Sequence, residues 1–179
     1  MLARRLMVFT SLLVAGALPQ AAQAKLPAPK TKTIVFGTSI GGVKLGMSLD
    51  AAKAAWGPGQ LCVDSMGATV TTTRCNWIDA KRGTAGLIAT NGTITFVSLN
   101  APAIDPLKGA TQFSGSITAY RTAKGIGIGS TVKALRKAYP KAKDGAVDTL
   151  VIFSGKVTTS FVPRKGRIAG ITISTAQVP

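Results

Sequence analysis

Few residues in this sequence are of the types that carry out catalysis. The 179-residue chain contains no histidine and no glutamate, so its acidic residues are six aspartates. Ser130 and Lys133 match the Ser-x-x-Lys spacing of a lysine-activated serine nucleophile, but a helix cap followed by an exposed basic residue explains the same positions. General acid–base catalysis would fall to aspartates that lie in no recognisable motif. We therefore expect a protein that is not an enzyme and that uses no metal or other cofactor.

The N-terminal residues 1–24 have the features of a secretory signal peptide. Two arginines precede an apolar run at 6–18, and Ala-Gln-Ala at 22–24 fits the small-x-small cleavage pattern. A membrane anchor is the alternative, but the apolar run is shorter than the roughly 20 residues that a spanning helix needs. We expect a periplasmic or secreted protein with no transmembrane helix after cleavage. A flexible tail is predicted at 25–32, before a folded region that begins near Thr33.

The sequence has two cysteines, Cys62 and Cys75. An even number of cysteines in an exported chain favours a disulfide bond. Two free thiols or a metal-binding pair are the alternatives, but the chain has no histidine to complete a zinc site. Closing a loop of this size should stabilise the fold by about 3 kcal/mol on the chain-entropy model.

Lysine and arginine outnumber aspartate and glutamate by 22 to 6, which gives a formal net charge of +16. Such a charge attracts anionic surfaces, although it could also serve only solubility. Because export argues against genomic nucleic acid, the expected anionic partners are lipid headgroups, acidic envelope polysaccharide and acidic proteins. Eight basic residues are candidates for binding an anionic partner, with a solvated helix face as the alternative: Lys133, Arg136, Lys137, Lys141, Lys143, Arg164, Lys165 and Arg167.

Two short helices are predicted, and each follows a glycine and a hydroxyl-bearing cap. Ser48 is expected to cap a helix over about Leu49 to Trp56, because its hydroxyl can accept hydrogen bonds from the free N–H groups of the first turn. Ser130 or Thr131 is expected to cap the second helix, which Pro140 ends. These helices would pack on strands that hold the candidate site residues.

Strands are predicted for most of the remaining segments, with a loop at 60–67 and a strand at 115–121. Asn91-Gly92 is a strong hairpin signal, because both turn residues need positive φ. A second hairpin is predicted to turn at 164–166. A boundary between two units is predicted near residue 105, after a linker with two prolines.

The two hairpins align without gaps at an offset of 74 residues, as from Gly92 to Gly166. Both second strands change apolar phase at the same place, after Ile94 in one and after Ile168 in the other. A shared phase change predicts a β-bulge at the same position in both hairpins. The chain is therefore predicted to contain two tandem α/β repeats, at 33–105 and 106–179.

The order of strand, Gly-Met/Ile-Ser/Gly, short helix and three further strands resembles the β-lactamase inhibitor protein fold. Gly46-Met47-Ser48 is also similar to the motif of the small lipoprotein family of outer-membrane β-barrel assembly. The resemblance implies an α+β protein of two tandem helix-plus-antiparallel-sheet units, whose sheets lie side by side and form a concave surface that holds a partner protein. The partner would be an envelope or secreted protein. Three aromatic residues on the predicted sheet are candidate anchors, with core packing as the alternative: Trp77, Phe153 and Phe161.

Overall fold

The protein is described here from a computed structural model, which covers residues 26–57, 60–79, 81–102, 113 and 116–175. The predicted signal peptide lies outside these residues. Among them, twelve strands are β1 Thr33–Val35, β2 Ser39–Ile40, β3 Val43–Lys44, β4 Leu61–Met66, β5 Thr71–Asp79, β6 Gly83–Thr90, β7 Thr93–Asn100, β8 Arg121–Thr122, β9 Lys143–Asp144, β10 Leu150–Ser154, β11 Val157–Arg164 and β12 Arg167–Ser174. The helices are α1 Leu49–Trp56, α2 Val132–Ala138 and a 3-10 helix at Ser116–Ala119. No helix in the described ranges is long and apolar enough to cross a membrane.

The strands form two sheets. The larger sheet has eight strands in the order β4-β5-β6-β7-β12-β11-β10-β9, and all its pairs are antiparallel. The smaller sheet has four strands in the order β3-β2-β1-β8. In the larger sheet β7 pairs with β12, so the strands before and after residue 105 form one continuous sheet.

The predicted α+β class, with two tandem helix-plus-sheet units that form a concave surface, is wrong. The described residues are 49% strand and 14% helical, and the two α-helices have only 8 and 7 residues. The smaller sheet also crosses the predicted boundary, because Ile34 of β1 pairs in parallel with Thr122 of β8. The chain is therefore a mainly β protein of two sheets. The assignment of 33–105 and 106–179 to two repeats stays a prediction.

Both helices begin where the sequence places them. The Ser48 hydroxyl accepts a hydrogen bond from the Ala51 N–H at 3.3 Å, and α1 ends at Gly57, whose φ is 82°. The Thr131 hydroxyl accepts from the Ala134 N–H at 3.1 Å. Thr131 therefore caps α2, as one of the two predicted residues.

Both hairpins turn as predicted. Asn91 and Gly92 have φ of 48° and 75°, and Lys165 and Gly166 have φ of 48° and 73°. The strand register shifts between Ile88 and Ala89 in one hairpin and between Val162 and Pro163 in the other. The two shifts lie 74 residues apart, so the prediction of matching bulges is confirmed.

Two segments differ from their predicted secondary structure. The predicted loop at 60–67 contains the strand β4, which pairs with β5 along its whole length. The predicted strand at 115–121 contains the 3-10 helix, in which the Tyr120 N–H donates to the Ile117 carbonyl at 3.4 Å. Ile117 and Tyr120, the residues that suggested a strand, are both buried in the core.

Residues 26–32 have no regular secondary structure, but they are held against the core. Pro27 and Pro29 are buried, the Tyr120 hydroxyl donates to the Pro27 carbonyl at 3.4 Å, and the Ala28 N–H donates to the Trp56 carbonyl at 3.3 Å. This segment is therefore ordered where the sequence predicts a flexible tail. A flexible tail would leave the two prolines in water.

The core lies between one face of the eight-stranded sheet and a layer that holds the helices and the smaller sheet. Trp56 of α1 packs edge-to-face on Trp77 of β5 at 5.1 Å, and Phe36 packs edge-to-face on Phe161 of β11 at 5.3 Å. Both buried indole N–H groups are satisfied, since Trp56 donates to the Ile40 carbonyl and Trp77 to the Gly57 carbonyl, each at 3.2 Å. None of the described helices or strands covers the opposite face of the large sheet.

Candidate binding surface

Alternate residues of the eight-stranded sheet point away from the core, and we call this side the open face. In β5, Cys75 and Trp77 are buried, whereas Arg74 before them and Ile78 after them are exposed, and Asn76 between them is half-buried. Strand pairing carries this alternation across the sheet. One row of paired residues on the open face crosses seven strands: Val63, Arg74, Ile88, Phe96, Ser174, Thr158 and Phe153.

Large apolar side chains are exposed on the open face. Leu61 and Val63 of β4 are each 62% exposed, Ile78 of β5 is 46% exposed, and Phe153 of β10 is 53% exposed. Single exposed apolar residues are normal on protein surfaces. Leu61, Val63 and Ile78 lie on the neighbouring strands β4 and β5 and form a patch of the kind that marks an interaction surface. Phe153 is exposed on the same face but lies on β10, with β6, β7, β12 and β11 between it and β5.

A shallow depression lies beside this patch, with a volume of about 300 Å³. Gly86 keeps it open, because a Cβ at this position would lie 3.0 Å from the Asn76 side-chain oxygen and 3.2 Å from the Ser98 hydroxyl. Ile88 and Phe96 line it with apolar surface. The depression is thus of a size and character to receive one apolar side chain of a partner.

The open face carries positive but no negative charge among its described residues. Arg74 lines the depression, and Lys143 of β9 pairs with Val151 at the far edge of the sheet. Asp64 of β4 and Asp79 of β5 lie on the opposite face of the sheet. The Asp64 carboxylate accepts from the Thr73 hydroxyl there at 2.7 Å. An acidic partner would therefore meet no repulsion from a carboxylate on this face.

The structure separates the three aromatic residues that were candidate anchors. Trp77 and Phe161 are fully buried in the core, so the prediction that they bind a partner is wrong. Each has the inward phase of its strand, and each packs on an aromatic residue of the covering layer. Phe153 has the outward phase and lies on the open face. Of the three, Phe153 alone remains a candidate anchor.

The predicted disulfide between Cys62 and Cys75 is confirmed. The two residues pair directly across β4 and β5, with their Cα atoms 4.1 Å apart. The bond fixes the edge strand of the large sheet to its neighbour. A disulfide is also consistent with a protein that leaves the reducing cytosol.

The eight candidate basic residues are all exposed, and the fold brings their two groups together. The tip of the β11–β12 hairpin packs on the start of α2, where the Val132 N–H donates to the Gly166 carbonyl at 3.0 Å. Arg167 also donates to the Gly129 carbonyl at 2.9 Å. The hairpin cations Arg164, Lys165 and Arg167 therefore lie near the helix that carries Lys133, Arg136 and Lys137.

Arg136 of this surface is paired with an acidic residue. Arg136 forms an ion pair with Asp144 of β9, with a nitrogen–oxygen distance of 2.6 Å, and both side chains are largely exposed. Exposed pairs of this kind contribute little stability, but the pairing lowers the local positive charge. Lys133 and Lys137, four residues apart, share one side of α2. Lys141 and Lys143 follow the helix.

The sequence did not identify two features of these surfaces. Leu61 and Val63 were missed because their segment was predicted as a loop. Lys124 was missed because it is distant in sequence from the end of α2. Its ammonium donates to the Ala138 carbonyl there at 2.8 Å and lies 5.0 Å from the centre of the Tyr139 ring. A cation at a helix C-terminus is favourable, but neither feature has a short-range sequence signal.

The Ser-x-x-Lys motif has a structural explanation. The Ser130 hydroxyl accepts a hydrogen bond from the Gly127 N–H at 3.1 Å, which closes the turn before α2. Lys133 is exposed on the helix. The geometry therefore fits a turn residue followed by a basic surface position.

No family model and no curated protein sequence matches the chain. Among solved structures, the chain is similar to an extracellular protein containing a SCP domain from Bacillus anthracis, with 10% sequence identity and a TM-score of 0.36. The similarity covers 73% of this chain and 43% of that protein, so the chain spans less than half of its length. A likeness this weak carries no conclusion about family or function. The resemblance to the β-lactamase inhibitor protein fold stays a prediction.

Proposed function

We propose that this protein is an exported, non-enzymatic binding protein that holds another protein on the open face of its eight-stranded sheet. The exposed apolar patch of Leu61, Val63 and Ile78 carries the proposal, and Phe153 adds an exposed aromatic side chain farther across the same face. Burying such side chains against a partner contributes roughly 25 cal/mol per Å² of apolar area. The depression at Gly86 supplies a place for an anchoring side chain of the partner.

The charge of the chain favours an acidic partner. The formal net charge is +16, and the described residues of the open face include Arg74 but no carboxylate. Complementary charge raises the rate of encounter and selects against basic partners. We therefore propose an acidic envelope or secreted protein as the partner.

A periplasmic or secreted location is part of this proposal. The signal-like N-terminal sequence and the Cys62–Cys75 disulfide support it. Both fit an oxidising compartment outside the cytosol. A binding protein in that compartment meets envelope and secreted proteins.

The test is capture of a partner from cell-envelope extract by the mature protein, followed by a binding assay with the purified partner. Ile78→Lys places a charge in the apolar patch and should weaken binding by at least about tenfold, as expected when a buried apolar contact is lost. Val35→Lys is the matched control, because Val35 is also 46% exposed but lies on the smaller sheet. Equal binding by the native protein and both variants would contradict the proposal.

A second candidate function is binding of an anionic lipid headgroup or acidic envelope polysaccharide. The observation that favours it is the grouping of Lys133 and Lys137 on α2 with the basic hairpin tip at 164–167. A basic surface of this kind binds polyanions without a shaped pocket, and its affinity falls steeply with salt.

Vesicles with anionic and with neutral lipids separate this candidate from the first. Binding to anionic vesicles should weaken between low salt and physiological salt. Lys133→Gln with Lys137→Gln should reduce it, whereas Ile78→Lys, which adds a cation, should not weaken it. Polysaccharide binding without vesicle binding would identify the polymer as the anion. An absence of binding to both at low salt would rule this candidate out.

A further inference from the structure

The edge strand β4 leaves backbone groups free to pair with another strand. Within the described part of the chain, β4 has β5 as its one neighbour in the sheet. In antiparallel sheets, pairs with close Cα atoms are those without mutual backbone hydrogen bonds. The 4.1 Å separation of Cys62 and Cys75 marks such a pair. The N–H and C=O groups of Cys62, Asp64 and Met66 therefore point away from β5.

This edge differs from the opposite edge of the same sheet. At the far side, β9 has two residues, Lys143 and Asp144, and both are charged and exposed. Short, charged edge strands prevent pairing with other chains. By contrast, β4 has six residues and contains no lysine, arginine or proline.

Exposed apolar side chains are concentrated at this edge. Leu61 and Val63 are each 62% exposed, Met66 is 86% exposed, and Val70 in the turn to β5 is 41% exposed. These are four of the eight large apolar residues that are exposed in the described part of the chain. A long and mainly apolar edge, in which Asp64 is the one charged residue, is the kind to which an extended segment can add by β-augmentation.

We propose that β4 binds an extended acidic segment of the partner protein, which adds to the sheet as a further antiparallel or parallel strand. Its backbone would pair with Cys62, Asp64 and Met66. Side chains opposite Leu61 and Val63 would extend the apolar patch of the open face, so the segment needs apolar residues at alternate positions. This inference rests on the proposed function and specifies how the partner is held.

Charge argues for a foreign acidic segment over a second copy of this chain. Two copies would repel each other, because the chain is strongly basic, with a formal net charge of +16 for the full sequence. A symmetric antiparallel pair that uses all three outward residues of both strands would also place Asp64 opposite Asp64, and like charges directly opposite are unfavourable. An acidic segment is attracted to the basic chain where a second copy would be repelled. It can also carry a neutral residue opposite Asp64.

The test is selection of binding peptides from two displayed libraries of ten residues. Both libraries carry apolar residues at alternate positions. In the acidic library the other positions contain threonine, serine, aspartate and glutamate. In the basic library they contain threonine, serine, lysine and arginine. Binding is measured with purified mature protein at low and physiological salt. We expect the acidic library to provide the tighter binders.

Two substitutions at one position then separate backbone pairing from charge. Asp64→Pro should still fold, because proline is tolerated on edge strands. Because it removes the outward N–H, it should weaken binding by at least about tenfold. Asp64→Asn keeps the N–H while removing the same carboxylate that accepts from Thr73, and binding should change by less than about threefold. Circular dichroism and thermal unfolding confirm that both variants fold.

Amide hydrogen exchange tests the same contact without any substitution. In the free protein the amides of Cys62, Asp64 and Met66 should exchange rapidly, while those of Leu61, Val63 and Ser65 are protected by β5. A selected peptide should protect the first set. If Asp64→Pro fails to fold, this measurement decides.

Several outcomes would overturn the inference. They are an absence of binders in both libraries, equal binding of acidic and basic libraries, or no protection of the outward amides. A native dimer in analytical ultracentrifugation that Asp64→Pro dissociates would assign the edge to a second copy. A partner that Ile78→Lys releases and Asp64→Pro does not would leave the proposed function standing and refute the edge contact alone.

Discussion

Two phenylalanines on neighbouring strands of the large sheet should respond very differently to the same substitution. Phe161 is fully buried and packs edge-to-face on Phe36 at 5.3 Å, whereas Phe153 is 53% exposed on the open face. Phe161→Ala should cost about 4 kcal/mol, because it leaves a cavity in the core and removes an aromatic pair. Phe153→Ala should cost roughly 1 kcal/mol, since only about half of the side chain is withdrawn from water.

Urea denaturation followed by fluorescence measures both values. The transition midpoint should fall strongly for Phe161→Ala and slightly for Phe153→Ala, with similar m-values. A loss of about 4 kcal/mol is a large part of the 5–15 kcal/mol that stabilises a typical domain. Phe161→Leu, which leaves a smaller cavity, should therefore be measured as an intermediate step.

The refuting result is a cost for Phe153→Ala that equals or exceeds the cost for Phe161→Ala. That result would mean that the sheet faces are assigned the wrong way round, and the open face would then be the core. The same pair of variants should separate stability from binding. Phe153→Ala should weaken partner binding although it folds well, and Phe161→Leu should keep binding although it is less stable.

Three further predictions concern stability. Replacing both Cys62 and Cys75 with alanine should cost about 3 kcal/mol in urea denaturation, and added reductant should have no further effect on that variant. Burial raises the pKa of the Tyr120 phenol above its usual value near 10, so the folded state keeps the phenol neutral. Stability is then fully present below about pH 10 and falls as the pH rises further, because the unfolded chain alone ionises there; Tyr120→Phe should remove this part of the pH dependence in alkaline denaturation curves. Gly83→Ala should cost at least about 2 kcal/mol, since φ is 116° and the added Cβ would overlap the Asn100 carbonyl oxygen; a thermal shift below about 2 °C would contradict this.

Local features of the fold could be predicted from the sequence because their causes are local. The hydroxyl of Ser48 and the glycine at 57 determine where α1 begins and ends. Asn91 and Gly92 tolerate positive φ, so they determine a hairpin turn. The bulges follow from a change of apolar phase within a single strand. Each of these causes acts over a few residues.

The class of fold and most of the binding surface depend on contacts between distant residues. Nothing near Ile34 indicates that it pairs with Thr122, so the smaller sheet was not predicted and the α+β class was wrong. β4 has exposed side chains on both faces, and it is held by backbone pairing and a disulfide, so it lacks the alternation that identifies a strand. The inward phase of Phe161 and the outward phase of Phe153 depend on which sheet face the helices cover. That choice is made by tertiary packing.

The parallel pairing of β1 with β8 also determines the order in which the chain can assemble. The hairpins of β6 with β7 and of β11 with β12 close between neighbouring segments, so each can form as soon as its residues are available. By contrast, β1 can pair with β8 only after 88 further residues are available, as from Ile34 to Thr122. A nascent or partly translocated chain would therefore present an unfinished N-terminal sheet to chaperones. Chains that stop before residue 121 would lack β8. The edge of β1 that β8 covers in the complete protein would then be open to proteolysis.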